Sequence, residues 1–98
     1  ATIEVEAGKR EEFLSAFREN VPHVLAEDGC LEYGPTVDLE TDVAAQDPIR
    51  SQVVTVVEKW ESMDALHAHL VAPHMATYRE KVQHIVKGVR IQILEPAG

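Results

Sequence analysis

The segment from Gln52 to Trp60 constrains the fold most strongly, because it predicts a strand that is apolar on both of its faces. Successive side chains of a strand point to opposite faces of the sheet. The segment contains four valines, with Val53 and Val57 on one face and Val54 and Val56 on the other. Such a strand belongs in a structure that covers both faces of its sheet.

Helix and strand patterns alternate along the rest of the chain. Apolar residues recur every three or four positions from Lys9 to about Glu27, which is typical of an amphipathic helix. The other predicted elements are a strand end at Thr2 to Val5, a strand from Cys30 to Leu39 with Leu31 and Tyr33 on one face, a hairpin loop from Asp38 to Arg50, a helix capped by Ser62, a helix from Pro73 to about Lys87 ended by Gly88, and a strand from Val89 to Glu95.

The resulting order, βαββαβ, predicts one ferredoxin-like α+β domain over residues 1–98. Right-handed crossovers then place both helical layers on one face of a four-stranded antiparallel sheet. The opposite face would leave Val53 and Val57 in water. We therefore expect a second copy of the chain to cover that face, which makes the protein a homodimer.

The charge balance excludes two classes of partner. Nine lysines and arginines against seventeen acidic residues give a net charge of −8, so no basic surface is available for a nucleic acid. No apolar run approaches the length of a membrane span, and we expect no membrane partner. Cys30 is the only cysteine, which excludes an intrachain disulfide and favours a reducing, cytoplasmic location. The sequence starts at Ala1 in a strand-like stretch without a signal-peptide pattern, and we expect the natural chain to have residues upstream.

The five histidines raise the question of a metal site, which the spacing does not support. His67 and His69 point about 200° apart around a helix, so they cannot face one ion. His69 and His74 are separated by Pro73, which leaves their distance undetermined, and no third ligand stands at a recognisable spacing. The five glycines are isolated, so no phosphate-binding loop is present. The sequence predicts neither a metal nor a cofactor.

Several polar-tipped side chains are placed to line a pocket between the helices and the sheet. Glu58 and Trp60 share one strand face, and Tyr78 lies on the inner face of the last helix, one turn after His74. Together with Tyr33 they describe an apolar pocket with hydrogen-bonding groups, which suits a small aromatic ligand. Each residue taken singly also fits a core side chain whose polar tip is satisfied.

Two stretches resemble the antibiotic biosynthesis monooxygenase family, including its quinol monooxygenase-like members. They are E-K-W-E-S-M-D-A-L-H-A-H-L-V-A-P-H from Glu58 and A-E-D-G-C-L-E-Y from Ala26 to Tyr33. The resemblance implies a dimeric α+β barrel in which two sheets pack together. It also implies oxidation of a quinol or polycyclic phenol by molecular oxygen, without flavin, metal or haem.

Other branches of the family suggest alternatives. The haem-degrading branch has an Asn near the position of Ala1, a Trp at that of His69 and a histidine near that of Tyr78 or Arg79. None of these is present here, so we do not expect haem degradation. Another branch isomerises a phosphorylated linear sugar dione and carries a segment similar to His69–His74. A dimer that binds a small molecule without catalysis is the third possibility, because fold alone does not give function. The cations available for a phosphate are Arg18, Arg50, Lys59, Arg79 and Arg90.

A site without a cofactor has only to bind, deprotonate and orient the phenol. We expect His69 to be the base, because it precedes the helix break at Pro73, and His74 to be the second candidate. The helix dipole at the start of the next helix disfavours a charged His74. The remaining predicted roles are an apolar wall from Trp60 and Tyr33, a hydroxyl from Tyr78, and a carboxylate from Glu58 that orients an imidazole.

Overall fold

A computed structural model describes all residues from 1 to 98. The elements are β1 (Thr2–Val5), α1 (Arg10–Leu25), β2 (Cys30–Thr36), β3 (Val53–Trp60), α2 (Met63–Leu70), α3 (Pro73–Val82) and β4 (Val86–Arg90). The four strands form one sheet in the order β2-β3-β1-β4, and every neighbouring pair is antiparallel. The predicted ferredoxin-like α+β fold is confirmed. None of the three helices combines the length and apolarity needed to cross a lipid bilayer.

One face of the sheet packs against the helices and forms the core. On β3, Val54 and Val56 are buried, whereas Val57 is 43% exposed, so burial alternates along the strand. The exposed face is less apolar than the sequence analysis predicted, because Val57 is followed on it by Lys59, which pairs with Glu32 at 3.7 Å. The buried core consists of Ile3, Val5, Phe13, Leu14, Phe17, Val24, Tyr33, Val54, Val56, Met75, Tyr78, Val82 and Ile85.

A β-bulge at the start of β2 separates two residues that were expected to share a face. The pairing with β3 shifts between Cys30 and Glu32. Leu31 is consequently 63% exposed, while Tyr33 is buried in the core. The prediction that they face the same side is wrong, because an extra residue in a bulge inverts the alternation. The strand also ends at Thr36, three residues earlier than predicted.

The C-terminal boundaries also differ from the prediction. Helix α3 ends at Val82, and Gly88 lies inside β4, where it pairs with Glu4. Ile85 continues the helical apolar spacing but belongs to a turn, since its N–H bonds to the carbonyl oxygen of Val82 at 2.9 Å and its own carbonyl accepts from Glu6 at 2.8 Å. The last strand therefore starts at Val86, and no regular element follows Arg90.

Candidate functional site

The break between α2 and α3 places two histidines beside each other. Helix α2 starts at a cap, in which the Ala65 N–H donates to Ser62 Oγ at 3.1 Å, and His69 lies in its last turn. Pro73 occupies the start of α3, as predicted, and His74 follows it directly. The turn is closed by a hydrogen bond from the Ala72 N–H to the His69 carbonyl at 3.2 Å.

The carboxylate of Glu27 joins the two imidazoles. Its Oε2 lies 2.8 Å from His69 Nδ1 and 2.8 Å from His74 Nε2. The side chain of Glu27 is only 13% exposed, that of His69 is 3% exposed and that of His74 is 26% exposed. Water therefore screens the contact between Glu27 and His69 less than the contact between Glu27 and His74. The structure brings together the two predicted catalytic histidines and adds a carboxylate that the sequence analysis missed.

A glycine positions Glu27 against α2. Glu27 follows α1, and Gly29 turns the chain with a φ of +82°, which is favourable for glycine alone. A Cβ on Gly29 would lie 2.6 Å from the Cβ of Ala65, so the turn packs too closely against α2 for any side chain at position 29. The position of Glu27 in the sequence could have indicated a functional residue, because a carboxylate just beyond a helix C-terminus interacts unfavourably with the helix dipole. Such a residue has a reason to be there other than stabilising α1.

The hydrogen bonds to Glu27 define which ring nitrogens carry protons. An ionised carboxylate only accepts hydrogen bonds, so His69 Nδ1 and His74 Nε2 both donate to Oε2. In a neutral His69, the lone pair is then on Nε2, and in a neutral His74 it is on Nδ1. The carboxylate also stabilises either ring once it has taken up a second proton.

Aromatic rings surround His69 on the sheet side. The ring centroid of Trp60 lies 4.6 Å from that of His69, and Tyr33 meets His69 edge-on at 5.5 Å. Tyr33 in turn stacks on Phe17 at 5.4 Å, and Phe17 contacts Tyr78 edge-on at 5.7 Å. The predicted wall of Trp60 and Tyr33 thus lies against His69, whereas Tyr78 reaches it only through other rings.

Glu58 has a different partner from the one expected. Its Oε1 accepts a hydrogen bond from Trp60 Nε1 at 3.0 Å, because the two residues are neighbours on the same face of β3. It orients the indole of Trp60, and Glu27 takes the imidazole-orienting role that was expected of Glu58. Glu58 remains close enough to raise the pKa of Tyr33 by its charge.

Burial keeps the hydroxyl and thiol groups near the site protonated. Burial raises the pKa of Tyr33 far above its usual range, and the charge of Glu58 raises it further. Burial likewise raises the pKa of Tyr78. The pKa of the Cys30 thiol is raised by burial and then by the charges of Glu27 and Glu58. These groups are hydrogen-bond donors and do not act as bases or nucleophiles at neutral pH.

A groove between α1 and α3 has a volume of about 310 Å³. His74 is the one member of the Glu27 cluster that lines it. His69 is 2% exposed and is not among the residues that line the groove. The groove is lined by Ala16, Glu19, Asn20, His23, His74, Thr77, Tyr78 and Lys81.

Comparison with known proteins agrees with the fold and the resemblance. The family model described as "Antibiotic biosynthesis monooxygenase" matches residues 1–81. "Probable quinol monooxygenase YgiN" of Escherichia coli (strain K12) is 41% identical over 87 residues, which cover 89% of this chain and 83% of that protein. The crystal structure of PA3566 from Pseudomonas aeruginosa has a TM-score of 0.78 at 25% identity, covering 99% of this chain and 89% of that one. A conserved protein from Methanosarcina mazei Go1 shares the fold at a TM-score of 0.74 and 21% identity, covering 91% of this chain and 79% of that one. The chain belongs to the antibiotic biosynthesis monooxygenase family.

Proposed function

We propose that the protein oxidises a quinol or related polycyclic phenol with molecular oxygen and without a cofactor. Membership of the monooxygenase family supports this class of reaction, and the name of the Escherichia coli relative supports a quinol as the substrate class. The observation that carries the proposal is the shared hydrogen bonding of His69 and His74 to Glu27.

His69 is the general base in this mechanism. Its Nδ1–H is held by Glu27, so the lone pair on Nε2 is the one that takes the proton of a phenolic hydroxyl. Because His69 is 2% exposed, neighbouring side chains have to move for the substrate to reach this atom. The developing imidazolium is stabilised by the Glu27 carboxylate at 2.8 Å, within a largely buried pair. General-base catalysis of this kind contributes about 10²- to 10⁴-fold in rate. His74, bonded to the same oxygen, is the second candidate.

The phenolate supplies all the electrons that the reaction needs. It transfers one electron to O₂, and the resulting substrate radical and superoxide combine to form a hydroperoxide. Loss of water leaves a carbonyl, so that a phenol and O₂ give a quinone and water. The protein has to hold an electron-rich ring near the base, and the rings of Trp60 and Tyr33 beside His69 provide a flat apolar surface for it. Tyr78 lines the groove beside His74, so its protonated hydroxyl is a hydrogen-bond donor for a part of the substrate that lies in the groove.

A homodimer completes the proposal. The exposed face of the sheet carries Val57, and the C-terminal segment leaves Ile91, Ile93 and Leu94 largely exposed. A second copy packed on this surface would remove these side chains from water. A stable interface of this kind buries on the order of 2,000 Å² in total. Sedimentation equilibrium at micromolar concentration tests the dimer, and a stable monomer contradicts it.

Isomerisation of a phosphorylated dione has less support. That substrate needs free cations at the site, yet Arg50 is bonded to Asp38 at 2.9 Å and Lys59 is paired with Glu32 at 3.7 Å. The other three candidate cations have no ion-pair partner, but none of them lines the groove that His74 enters; they are Arg18, Arg79 and Arg90. Lys81, which lines the groove, is paired with Glu19 at 3.2 Å. No observed contact therefore favours a phosphate.

Oxygen uptake measures the proposed reaction directly. Chelator-treated protein is supplied with a panel of quinols, and O₂ consumption is recorded beside product formation. For a quinol, the proposal predicts one O₂ consumed for each hydroxylated quinone formed, with water and not hydrogen peroxide as the second product, and no reaction without oxygen. If no quinol is oxidised while a phosphorylated dione is isomerised under nitrogen, the proposal is wrong.

A further inference from the structure

We propose that Glu27, His69 and His74 also form a binding site for one divalent transition-metal ion, such as Zn²⁺. Glu27 Oε2, His69 Nδ1 and His74 Nε2 all lie within 4.8 Å of one another. Two imidazole nitrogens and one carboxylate oxygen form a ligand set that binds Zn²⁺, Fe²⁺ and Ni²⁺ in proteins. The sequence analysis expected no metal because no third ligand was recognisable, and Glu27 supplies that ligand.

The spacing of the three atoms is close to that of a bound ion. Tetrahedral Zn²⁺ with bonds of about 2.0–2.1 Å holds neighbouring ligand atoms about 3.3 Å apart. Glu27 Oε2 is 2.8 Å from each ring nitrogen, so each of these two pairs has to separate by about half an ångström. The two ring nitrogens lie within 4.8 Å of each other and have to reach the same spacing. The side chains of Glu27 and His74 are the more exposed members and can make this small adjustment.

Charge and access also suit a metal. One carboxylate and two neutral imidazoles leave a complex with a dication at a net charge of +1, in a protein whose net charge is −8. Three protein ligands leave a coordination position open for water or another small ligand. His74 faces the groove between α1 and α3, which gives the ion a route from solvent to a site whose other two ligands are nearly buried.

Metal binding and the base function exclude each other. A metal on His69 Nδ1 takes the lone pair of that atom, so the ring proton moves to Nε2 and that atom becomes a donor. His74 changes in the same way, with the metal on Nε2 and the proton on Nδ1. Neither histidine then accepts a proton from a phenol. Occupancy of the site therefore inhibits oxidation; this consequence rests on the proposed function, whereas the binding itself does not.

Cobalt(II) is the probe for the site, because tetrahedral Co²⁺ absorbs far more strongly in the visible region than hydrated Co²⁺. Untagged, chelator-treated protein is titrated with CoCl₂, without any quinol. The expected result is one Co²⁺ per chain with a tetrahedral spectrum. Loss of an outer partner of a metal ligand already weakens binding by 10- to 100-fold, so we expect His74→Ala and Glu27→Gln to weaken it by more than about 10²-fold. His67→Ala, which changes an exposed histidine of α2, is the matched control and keeps full affinity.

Three results decide the proposal. Absence of tetrahedral Co²⁺ binding overturns the site, whatever the enzymatic activity. Equal binding by the wild type, His74→Ala and Glu27→Gln, all shown to be folded by circular dichroism, also overturns it. Binding that is lost in both variants supports it; if Zn²⁺ then fails to inhibit quinol oxidation, the site stands and the assignment of the base is wrong.

Discussion

Glu27 Oε2 lies 2.8 Å from His69 Nδ1, although the two residues are 42 positions apart in the chain. The contact links the end of α1 to the end of α2 and fixes the imidazole proton on Nδ1. It gives the family fold a polarised histidine next to an aromatic wall.

Replacing the shared acceptor should impair catalysis without unfolding the protein. Glu27→Gln removes the negative charge that stabilises the imidazolium of His69. We expect kcat for quinol oxidation to fall on the order of 10²-fold, since the base is no longer supported in the transition state. Glu12→Gln, at an exposed acid that bonds His84, is the control; an unchanged kcat in Glu27→Gln contradicts this role.

The close approach of Gly29 to Ala65 should be visible in stability. Gly29→Ala adds a Cβ at 2.6 Å from a side-chain carbon and at a φ of +82°, so the free energy of unfolding should fall by about 2–4 kcal/mol. Gly8→Ala, at a φ of +76° in open space, should lower the free energy of unfolding only through backbone strain, by about 1–2 kcal/mol.

Urea denaturation measures both changes, and Ala65→Gly provides the second half of a double-mutant cycle. In that background Gly29→Ala should cost at least about 1 kcal/mol less, because the steric conflict is gone. Equal costs in the two backgrounds would show that the approach of the two residues is not what constrains position 29.

Tyrosine titration should occur only as the protein unfolds. The chain has two tyrosines, Tyr33 and Tyr78, and burial raises the pKa of both above the unfolded value of about 10. Because the pKa is higher in the folded state, the protonated tyrosines contribute fully to the free energy of unfolding below pH 10, and this contribution is lost as the pH rises above 10. Absorbance at 295 nm and far-ultraviolet circular dichroism should therefore change together in an alkaline titration. A phenolate signal near pH 10 in a protein that is still folded would contradict the burial of these hydroxyls.

The element order was predictable because the periods of the apolar residues differ between helix and strand. The Glu27 contact was not, since it depends on the turn at Gly29 and the break at Pro73, and neither gives a distance between their flanking side chains. The boundaries were missed for local reasons. Ile85 follows the helical spacing of Met75, Tyr78 and Val82 although it belongs to a turn, and the bulge at Leu31 leaves no mark in the sequence.

The loop between β2 and β3 should remain anchored in acid. Arg50 donates hydrogen bonds to both carboxylate oxygens of Asp38 at 2.9 Å, and these bonds lower the pKa of Asp38 to about 2. Because the pKa of Asp38 is lower in the folded state, the ion pair contributes to the free energy of unfolding above the unfolded-state pKa of about 3.9. That contribution is lost as the pH falls towards 2. Carbon-detected NMR of the Asp38 carboxyl should show a midpoint well below its value in the urea-unfolded protein, because the ion pair with Arg50 exists only in the folded chain. Coincident midpoints would show that the ion pair does not hold the loop.

The rate of quinol oxidation by His69→Gln tests the role of His69 most directly. Glutamine keeps much of the side-chain volume and an N–H for Glu27, but it has no basic nitrogen, so the variant separates packing from proton transfer. Circular dichroism and sedimentation should first show that the variant is folded and assembled like the wild type. At saturating quinol in air, kcat of His69→Gln should then be lower than that of the wild type by about 10²-fold or more. The control is His67→Gln, at an exposed histidine of the same helix, and its kcat should match that of the wild type. A folded His69→Gln protein that oxidises quinol at the wild-type rate would show that His69 is not the base.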